Sequence, residues 1–239
     1  MFSLLIFSLI LIRPIILFSL VTDQYLTHYW SFSDETMVDS IGTAHMQQGM
    51  NSSFTSDRFG CPNSALNLNG GYTYVPAGVY FDSPEFTISV WIYPMQIGKW
   101  ARVTDFGNGD AIDNIVLAID SGNNRKPDLS IYSDSSVVTN TISNQEIINE
   151  QWQLLTVTFD GSNLAVYING TPTKIQSITY SLPKINRTKN YIGKSNFILS
   201  DDGYSYSYLD DLRFYTKSLT QTEIMSLLNE SNLSKSYFV

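Results

Sequence analysis

Tyr208-Leu-Asp-Asp-Leu-Arg-Phe-Tyr-Thr-Lys-Ser-Leu-Thr-Gln-Thr-Glu-Ile-Met-Ser-Leu-Leu228 reads as a β-strand running directly into one short, capped helix. Successive strand residues point to opposite faces. A regular strand therefore puts Tyr208, Asp210, Leu212 and Phe214 on one face and Leu209, Asp211, Arg213 and Tyr215 on the other. The Leu212/Phe214 side is the expected core side, which places Asp210 among apolar residues. A carboxylate there must be hydrogen-bonded, paired or metal-bound, because burying it alone is costly. Thr220 fits as the N-cap, with Glu223 as its capping-box partner and Leu219 and Ile224 as a hydrophobic staple. Ile224, Leu227 and Leu228 give the helix a single apolar stripe.

Upstream, strand signals recur with turn residues between them, and no helical period appears before residue 219. His28 to Phe32 is a first short strand. Ala65 to Leu68 and Tyr72 to Val75 flank Asn69-Gly70-Gly71, a hairpin signal. Phe86 to Tyr93 carries bulk on both faces and is terminated by Pro94, as expected of a central strand. Ala101 to Phe106, Ile115 to Ile119 and Leu129 to Tyr132 continue the series. Gln151 to Phe159 and Leu164 to Ile168 are joined by Asp160-Gly161-Ser162-Asn163. Many short strands with such turns imply an all-β, two-sheet antiparallel jelly-roll sandwich with one short C-terminal helix. No linker or repeat divides the chain, so a single domain is expected over residues 23–232, with a tail at 233–239.

The chain has 239 residues, 43% hydrophobic and only 15% charged, enough for a large core. Its 15 Tyr and 13 Phe favour sheet over helix bundle. The net charge is −8 and there is no basic run, which argues against nucleic acid and against electrostatic binding to anionic lipid. Of the 22 acidic residues 16 are Asp, a residue suited to turns and caps and also to hard cations. Cys61 is the only cysteine, so no internal disulfide forms and the fold must rest on its core.

Residues 1–22 are almost wholly apolar and read as a secretory signal peptide. An uncleaved anchor is the alternative, the only route to a membrane, but it would place Arg13 mid-bilayer, where arginine is expensive. Five N-x-Ser/Thr sequons, at Asn51, Asn169, Asn186, Asn229 and Asn232, agree with export and a secreted glycoprotein.

The ordered motifs resemble a known family. Tyr29-Trp30-Ser31-Phe32 precedes Asp39-Ser40-Ile41-Gly42, then Arg58-Phe59-Gly60 and Ala65-Leu66-Asn67-Leu68. Phe86 to Pro94, Trp100 to Gly109, Trp152 with Leu154 to Asp160, Val166 to Gly170 and Ile192-Gly193 follow, and the closing strand and helix complete the series. The series is similar to the laminin G-like (LamG-like) domains of concanavalin A-like lectin/glucanase type. That resemblance implies two face-to-face antiparallel sheets, an extracellular module binding a glycan or protein ligand, and often a structural Ca2+.

In such a fold the first and last strands neighbour each other, so Asp34 and Asp39 are expected to converge with Asp210 on a Ca2+ ion. Asp105, Asp110 and Asp113 form a weaker cluster. Glycosidases of this fold carry paired carboxylates on one strand, since acid and base or nucleophile must flank one bond. None of Glu35, Glu85, Glu146, Glu150, Glu223 and Glu230 begins such a pattern, and a regular strand points Asp210 and Asp211 apart. No catalytic residues are therefore assigned, and the chain is read as a non-catalytic binder. A hydrolase with a degenerate motif and a structural extracellular component are the alternatives. Tyr204, Tyr206 and Tyr208 near Asp201 and Asp202, together with Trp100, are candidates for stacking on sugar. Trp30, Trp91 and Trp152 are expected to pack within the sandwich.

Overall fold

The computed structural model describes residues 24–122, 124–198 and 202–230. The leader, Asp201, Asn232 and the 233–239 tail lie outside the described residues. Fifteen strands are described: β1 (Leu26–Trp30), β2 (Gln47–Gln48), β3 (Ser52–Thr55), β4 (Ala65–Gly71), β5 (Thr73–Val75), β6 (Phe86–Gln96), β7 (Arg102–Gly107) and β8 (Ile115–Ala118) in the first half. The second half adds β9 (Asp128–Ser133), β10 (Ser136–Ile142), β11 (Gln153–Phe159), β12 (Asn163–Ile168), β13 (Thr171–Ser177), β14 (Lys189–Ile192) and β15 (Ser205–Tyr215), then the helix α1 (Gln221–Leu228). They form two antiparallel sheets, ordered β13-β12-β11-β6-β15-β4-β3, with β1 also on β15, and β10-β9-β8-β7-β14-β5-β2. This is the expected jelly-roll sandwich. Among the described residues no helix is long and apolar enough to cross a membrane.

Alternation builds the core. Ile88, Val90 and Ile92 of β6, Leu155, Val157 and Phe159 of β11, and Val103 and Phe106 of β7 meet between the sheets with Trp30 and Phe214. The Trp30 indole N–H donates to the Ala44 carbonyl at 2.9 Å, so its burial leaves no unmet donor. β6 is central as expected, paired with β11 on one side and β15 on the other. The first and last strands do neighbour each other, with Trp30 opposite Leu212.

Two sequence expectations fail, both because the backbone departs from regular geometry. Asn69-Gly70-Gly71 is no hairpin: β4 belongs to one sheet and β5 to the other, and the chain crosses between them at Tyr72. A Cβ at Gly71 would lie 2.2 Å from the Met50 carbonyl oxygen, so only glycine passes that close.

The second failure is in β15. Asp211 adopts a left-handed conformation with φ 50°, and the register on β6 shifts between Asp210 and Arg213. This bulge resets the alternation, so Leu209 and Leu212 both enter the core and Asp210 and Asp211 both face outward. The two carboxylates are not on opposite faces. Arg58 reaches across β4 and binds both: its Nη1 bonds Asp210 Oδ2 and lies 2.7 Å from Asp211 Oδ2. The Tyr29 hydroxyl donates to Asp211 Oδ1 at 2.6 Å. The Arg58 guanidinium also lies 4.4 Å from the Phe59 ring centroid and 4.7 Å from that of Trp91.

The helix forms as its sequence dictates. Glu223 N–H donates to Thr220 Oγ1 at 3.3 Å, and Thr220 N–H donates to Glu223 Oε2 at 2.8 Å, closing the capping box. Leu219, Ile224 and Leu227 pack with Trp91, Leu154, Tyr29 and Tyr215 in a second apolar cluster, so α1 covers part of the outer face of the β6/β15 sheet. Arg213 lies over the Tyr29 ring at 4.6 Å and pairs with Glu230 at 2.7 Å, tying the helix end to the bulge.

Replacing Arg58 with Met leaves two buried carboxylates without their guanidinium. Arg58→Met is expected to lower the unfolding free energy by about 3–5 kcal/mol in urea titration. Adding Asp210→Asn and Asp211→Asn is expected to recover part of that loss. A loss unchanged by the added substitutions would show that Arg58 acts through ring packing alone.

Candidate ligand-binding site

The outer face of the β7/β14 sheet carries an exposed aromatic cluster. β5 reads Thr73-Tyr74-Val75, and alternation buries Thr73 and Val75 while leaving Tyr74 outside, 37% exposed. β14 reads Lys189-Asn190-Tyr191-Ile192, which turns Tyr191 outward in register with Tyr74 on one side and Asp105 on the other. Tyr72, at the crossing between sheets, stands perpendicular to Tyr74 at 5.1 Å and to Tyr191 at 5.9 Å. Tyr204, just before β15 and 39% exposed, stacks on Tyr72 at 5.7 Å with planes 15° apart. Offset-stacked and edge-to-face pairs of this kind hold the rings in place. The Tyr72 and Tyr74 hydroxyls are 2.9 Å apart, and that hydrogen bond, aided by partial burial, pushes the Tyr72 phenol up to about 12.

Lys194 completes the cluster. Its Nζ lies 4.7 Å from the Tyr72 ring centroid and 4.5 Å from that of Tyr191. Gly193 positions it: with φ +84° and a position where a Cβ would come within 2.6 Å of the Gly71 carbonyl oxygen, only glycine fits that turn. Beside the cluster is a cleft of about 270 Å³ lined by Lys194, Ser195, Phe197, Asp202 and Tyr204. A second depression, about 340 Å³ around Gly161 and Tyr180, has no charged side chain in its wall. The first therefore offers the richer set of recognition groups.

Buried carboxylates under this face hold the segment that carries Lys194. Asp105 is fully buried and accepts from Asn114 Nδ2 at 2.6 Å and from the Asn196 backbone N–H at 2.8 Å. Asn196 Nδ2 also donates to Asp105 Oδ1 at 3.0 Å and to the Lys189 carbonyl at 2.8 Å, pinning the chain after Lys194 to β7 and β14. Asp202 accepts from Ser195 Oγ at 2.6 Å and from Arg102 Nη2 at 3.1 Å. Burial pushes the Asp105 carboxyl up against the opposing pull of Asn196, Arg102 and Asn114. Burial also pushes Asp128 on β9 up to about 6, with Asp120 adding to the effect and Ser130 and Arg102 opposing it.

Several expected site residues sit elsewhere. Asp34, Asp39 and Asp210 are not brought together, and among the described residues no group of three His, Cys, Asp or Glu side chains is placed to hold a metal. Asp34 is exposed on the turn after β1. Asp39 is buried as a loop anchor, with Oδ2 2.6 Å from His28 Nδ1 and backbone N–H donors at Tyr29, Ile41, Gly42 and Ala44. Burial pushes its carboxyl up, but the His28 contact and these N–H donors outweigh it and hold it well below the usual carboxylate range. Asp210 is taken by Arg58. Asp105, Asp110 and Asp113 do not converge either, since Asp113 instead accepts from the Asp134 N–H and from Asn108 Nδ2.

The three expected stacking tyrosines divide between two surfaces. Tyr204 joins the cluster above, whereas Tyr208 stacks on Tyr93 at 5.3 Å on the outer face of the other sheet, beside Trp152. Trp100 is half-buried against Gly122 rather than presented to solvent. Tyr72, Tyr74, Tyr191 and Lys194 were missed by sequence reasoning. The alternation in Thr73-Tyr74-Val75 and Lys189 to Ile192 was the available signal for two of them.

A family model described as the concanavalin A-like lectin/glucanases superfamily, of laminin G type, matches residues 67–225. The chain belongs to this superfamily. No curated protein matches it by sequence. Its fold is similar to domain 4 of AbnA, a GH43 extracellular arabinanase from Geobacillus stearothermophilus, solved in complex with arabinotriose. That match has a TM-score of 0.67 at 20% identity and covers 86% of this chain and 98% of that one. It is also similar to the binding domain of Paraclostridial Mosquitocidal Protein 1, with a TM-score of 0.66 at 16% identity, over 87% of this chain and 52% of that one. A botulinum neurotoxin type C structure, described as dependent on two ganglioside molecules for cell entry, gives a TM-score of 0.67 at 16% identity. It is covered over 88% of this chain and 52% of that one. The superfamily member described here thus spans about half the length of those toxin chains.

Asp128 makes stability pH-dependent. Its folded carboxyl, raised to about 6 from the ordinary 3.8, binds a proton more tightly than in the unfolded chain. The associated stability is fully present below about pH 4 and is lost as pH rises through about 6, a swing of about 2–3 kcal/mol. Asp128→Asn is expected to flatten the pH 4–7 portion of a stability profile measured by urea titration. An unchanged slope would assign the pH dependence to another group.

Proposed function

We propose that this chain is a secreted, non-catalytic module that binds glycans through the Tyr72, Tyr74, Tyr191 and Tyr204 cluster. The observation that carries this reading is the cluster itself. Partly exposed aromatic rings, locked by contacts with one another, present faces for the apolar side of a sugar ring, while phenol hydroxyls, Lys194 and the adjoining cleft supply polar partners. The arabinotriose complex of the structurally similar arabinanase domain and the ganglioside dependence stated for the botulinum neurotoxin support a glycan ligand. The carboxylates of Asp210 and Asp211 favour binding over hydrolysis. They are buried and committed to Arg58, so neither is presented to a scissile bond.

Tyr74→Ala and Tyr204→Ala are each expected to weaken glycan binding about 5- to 10-fold in isothermal titration, the loss of one aromatic contact. The ligand is first chosen from a glycan array. An empty array together with self-association in sedimentation would instead favour a structural extracellular role.

Export is part of the same proposal. The side chains of Asn51, Asn169, Asn186 and Asn229 are all exposed, which supports their use as glycan acceptors. The Nδ2 of Asn51 donates to the Gly70 carbonyl at 3.4 Å and that of Asn229 to the Met225 carbonyl at 2.8 Å, so both must release a bond to be modified. On expression through a secretory pathway, Asn186 is expected to carry the highest occupancy, read by mass spectrometry after peptide-N-glycosidase treatment. A chain that stays unmodified would remove the support that the sequons give to secretion.

A further inference from the structure

We propose that Lys194 makes this site selective for acidic sugars, with a carboxylate or sulfate group of the glycan paired to its ammonium. The inference rests on the glycan-binding reading of the tyrosine cluster and adds to it the chemical class of ligand.

The placement of Lys194 is the first argument. Its ammonium is held against two tyrosine rings, Tyr72 and Tyr191, whose negative faces attract a cation without neutralising it. Among the described residues it forms no ion pair with a carboxylate. The neighbouring acids are already committed, Asp202 to Arg102 and Ser195, and Asp105 to Asn196 and Asn114. A cation fixed in place and still short of an anionic partner is suited to receive one from a ligand.

The second argument is charge context. The chain as a whole carries −8, so its average field repels anions and a local positive point is needed for an acidic ligand to settle. Lys189 adds to that point. It lies two residues before Tyr191 on the same exposed face of β14 and has no carboxylate partner among the described residues, so it adds a second positive charge to that face. A neutral sugar would use the stacking faces without the charge, whereas an acidic sugar engages rings and charge together.

The pinning of Asn196 to Asp105 and to the Lys189 carbonyl is the third argument. These bonds tether the chain on both sides of the cluster, so the ammonium is preorganised before the ligand arrives.

The test compares matched ligands on the full chain by isothermal titration. The pairs are 3′-sialyllactose against lactose, hyaluronan hexasaccharide against its carboxyl-reduced form, and chondroitin hexasaccharide with and without sulfate. The acidic member of at least one pair is expected to bind more tightly, and the pair that responds separates carboxylate from sulfate recognition. Lys194→Met is expected to weaken that acidic ligand about 5- to 20-fold, as for a lost charge-assisted hydrogen bond, and so to narrow or erase its advantage over the neutral partner. Lys194→Arg is expected to retain the preference, and raising salt from about 50 to 500 mM is expected to weaken only the acidic ligand, because such a pair is screened. Equal binding within every pair, or an acidic preference untouched by Lys194→Met, overturns the selectivity and leaves the tyrosine platform standing if Tyr74→Ala still weakens binding about 5- to 10-fold. Loss of all response to Tyr74→Ala overturns the platform and the selectivity together.

Discussion

The grip of the Arg58 Nη1 on both Asp210 and Asp211 is the constraint on which the sandwich depends. β15 is bonded to three neighbours, β1, β4 and β6, and the bulge at Asp211 decides which of its side chains face the core. Two adjacent carboxylates turned the same way beside an apolar cluster would repel each other and resist desolvation. One guanidinium between them, with the Tyr29 hydroxyl on Asp211, supplies the compensating charge and hydrogen bonds. The first strand, the segment after β3 and the last strand therefore meet at one polar knot. The C-terminal helix then caps the apolar residues around it.

A similar economy recurs across the molecule. This is a chain of low charge content in which aspartates serve as buried anchors for loops. Asp39 organises the turn after β1, and Asp57 accepts from the N–H groups of Phe59 and Cys61, fixing the loop that delivers Arg58. Asp120 gathers the N–H groups of Trp100, Gly122, Asn124 and Arg125. Asp105 does the same for Asn196, and through it sets the stage for Lys194. The abundance of Asp over Glu follows from this use, since a short side chain can reach its own loop's backbone. Of the aspartates expected to gather on a cation, Asp39 and Asp210 are among these buried groups, their oxygens already spent on N–H groups and on Arg58, and Asp34 is exposed.

The surface most suited to recognition is assembled from three separated stretches. Tyr72 and Tyr74 come from the crossing between sheets, Tyr191 and Lys194 from β14 and the turn after it, and Tyr204 from the approach to β15. Each stretch alone is unremarkable as sequence. Tyr-Thr-Tyr-Val reads as an ordinary strand, and Lys194 is one of the chain's 14 basic residues. Only the pairing of β14 between β5 and β7, with Tyr191 opposite Tyr74, turns them into a cluster. The tyrosines of 204 to 208 show the converse: close in sequence, they are divided between the two outer faces because the chain passes from one sheet to the other just before β15.

The elements legible in the sequence were those governed by neighbours along the chain. The capping box of Thr220 and Glu223, the apolar stripe of α1, the alternation of β6 and β11 and the turn at Asp160 all arise from contacts within a few residues, so local pattern was sufficient. The same holds for the class of fold, since the order of strands and turns implied a sandwich. Tertiary structure decided what local period could not. The phase of β15 was reversed by a bulge whose carboxylates are held by a residue about 150 positions away, and the glycines at 70 and 71 led the chain toward the other sheet past the Tyr206 ring and the Met50–Asn51 backbone, where a side chain would not fit. The recognition surface likewise exists only where strands remote in sequence come into register, because charge pairing and ring stacking act through space, and alternation records only what lies along the chain.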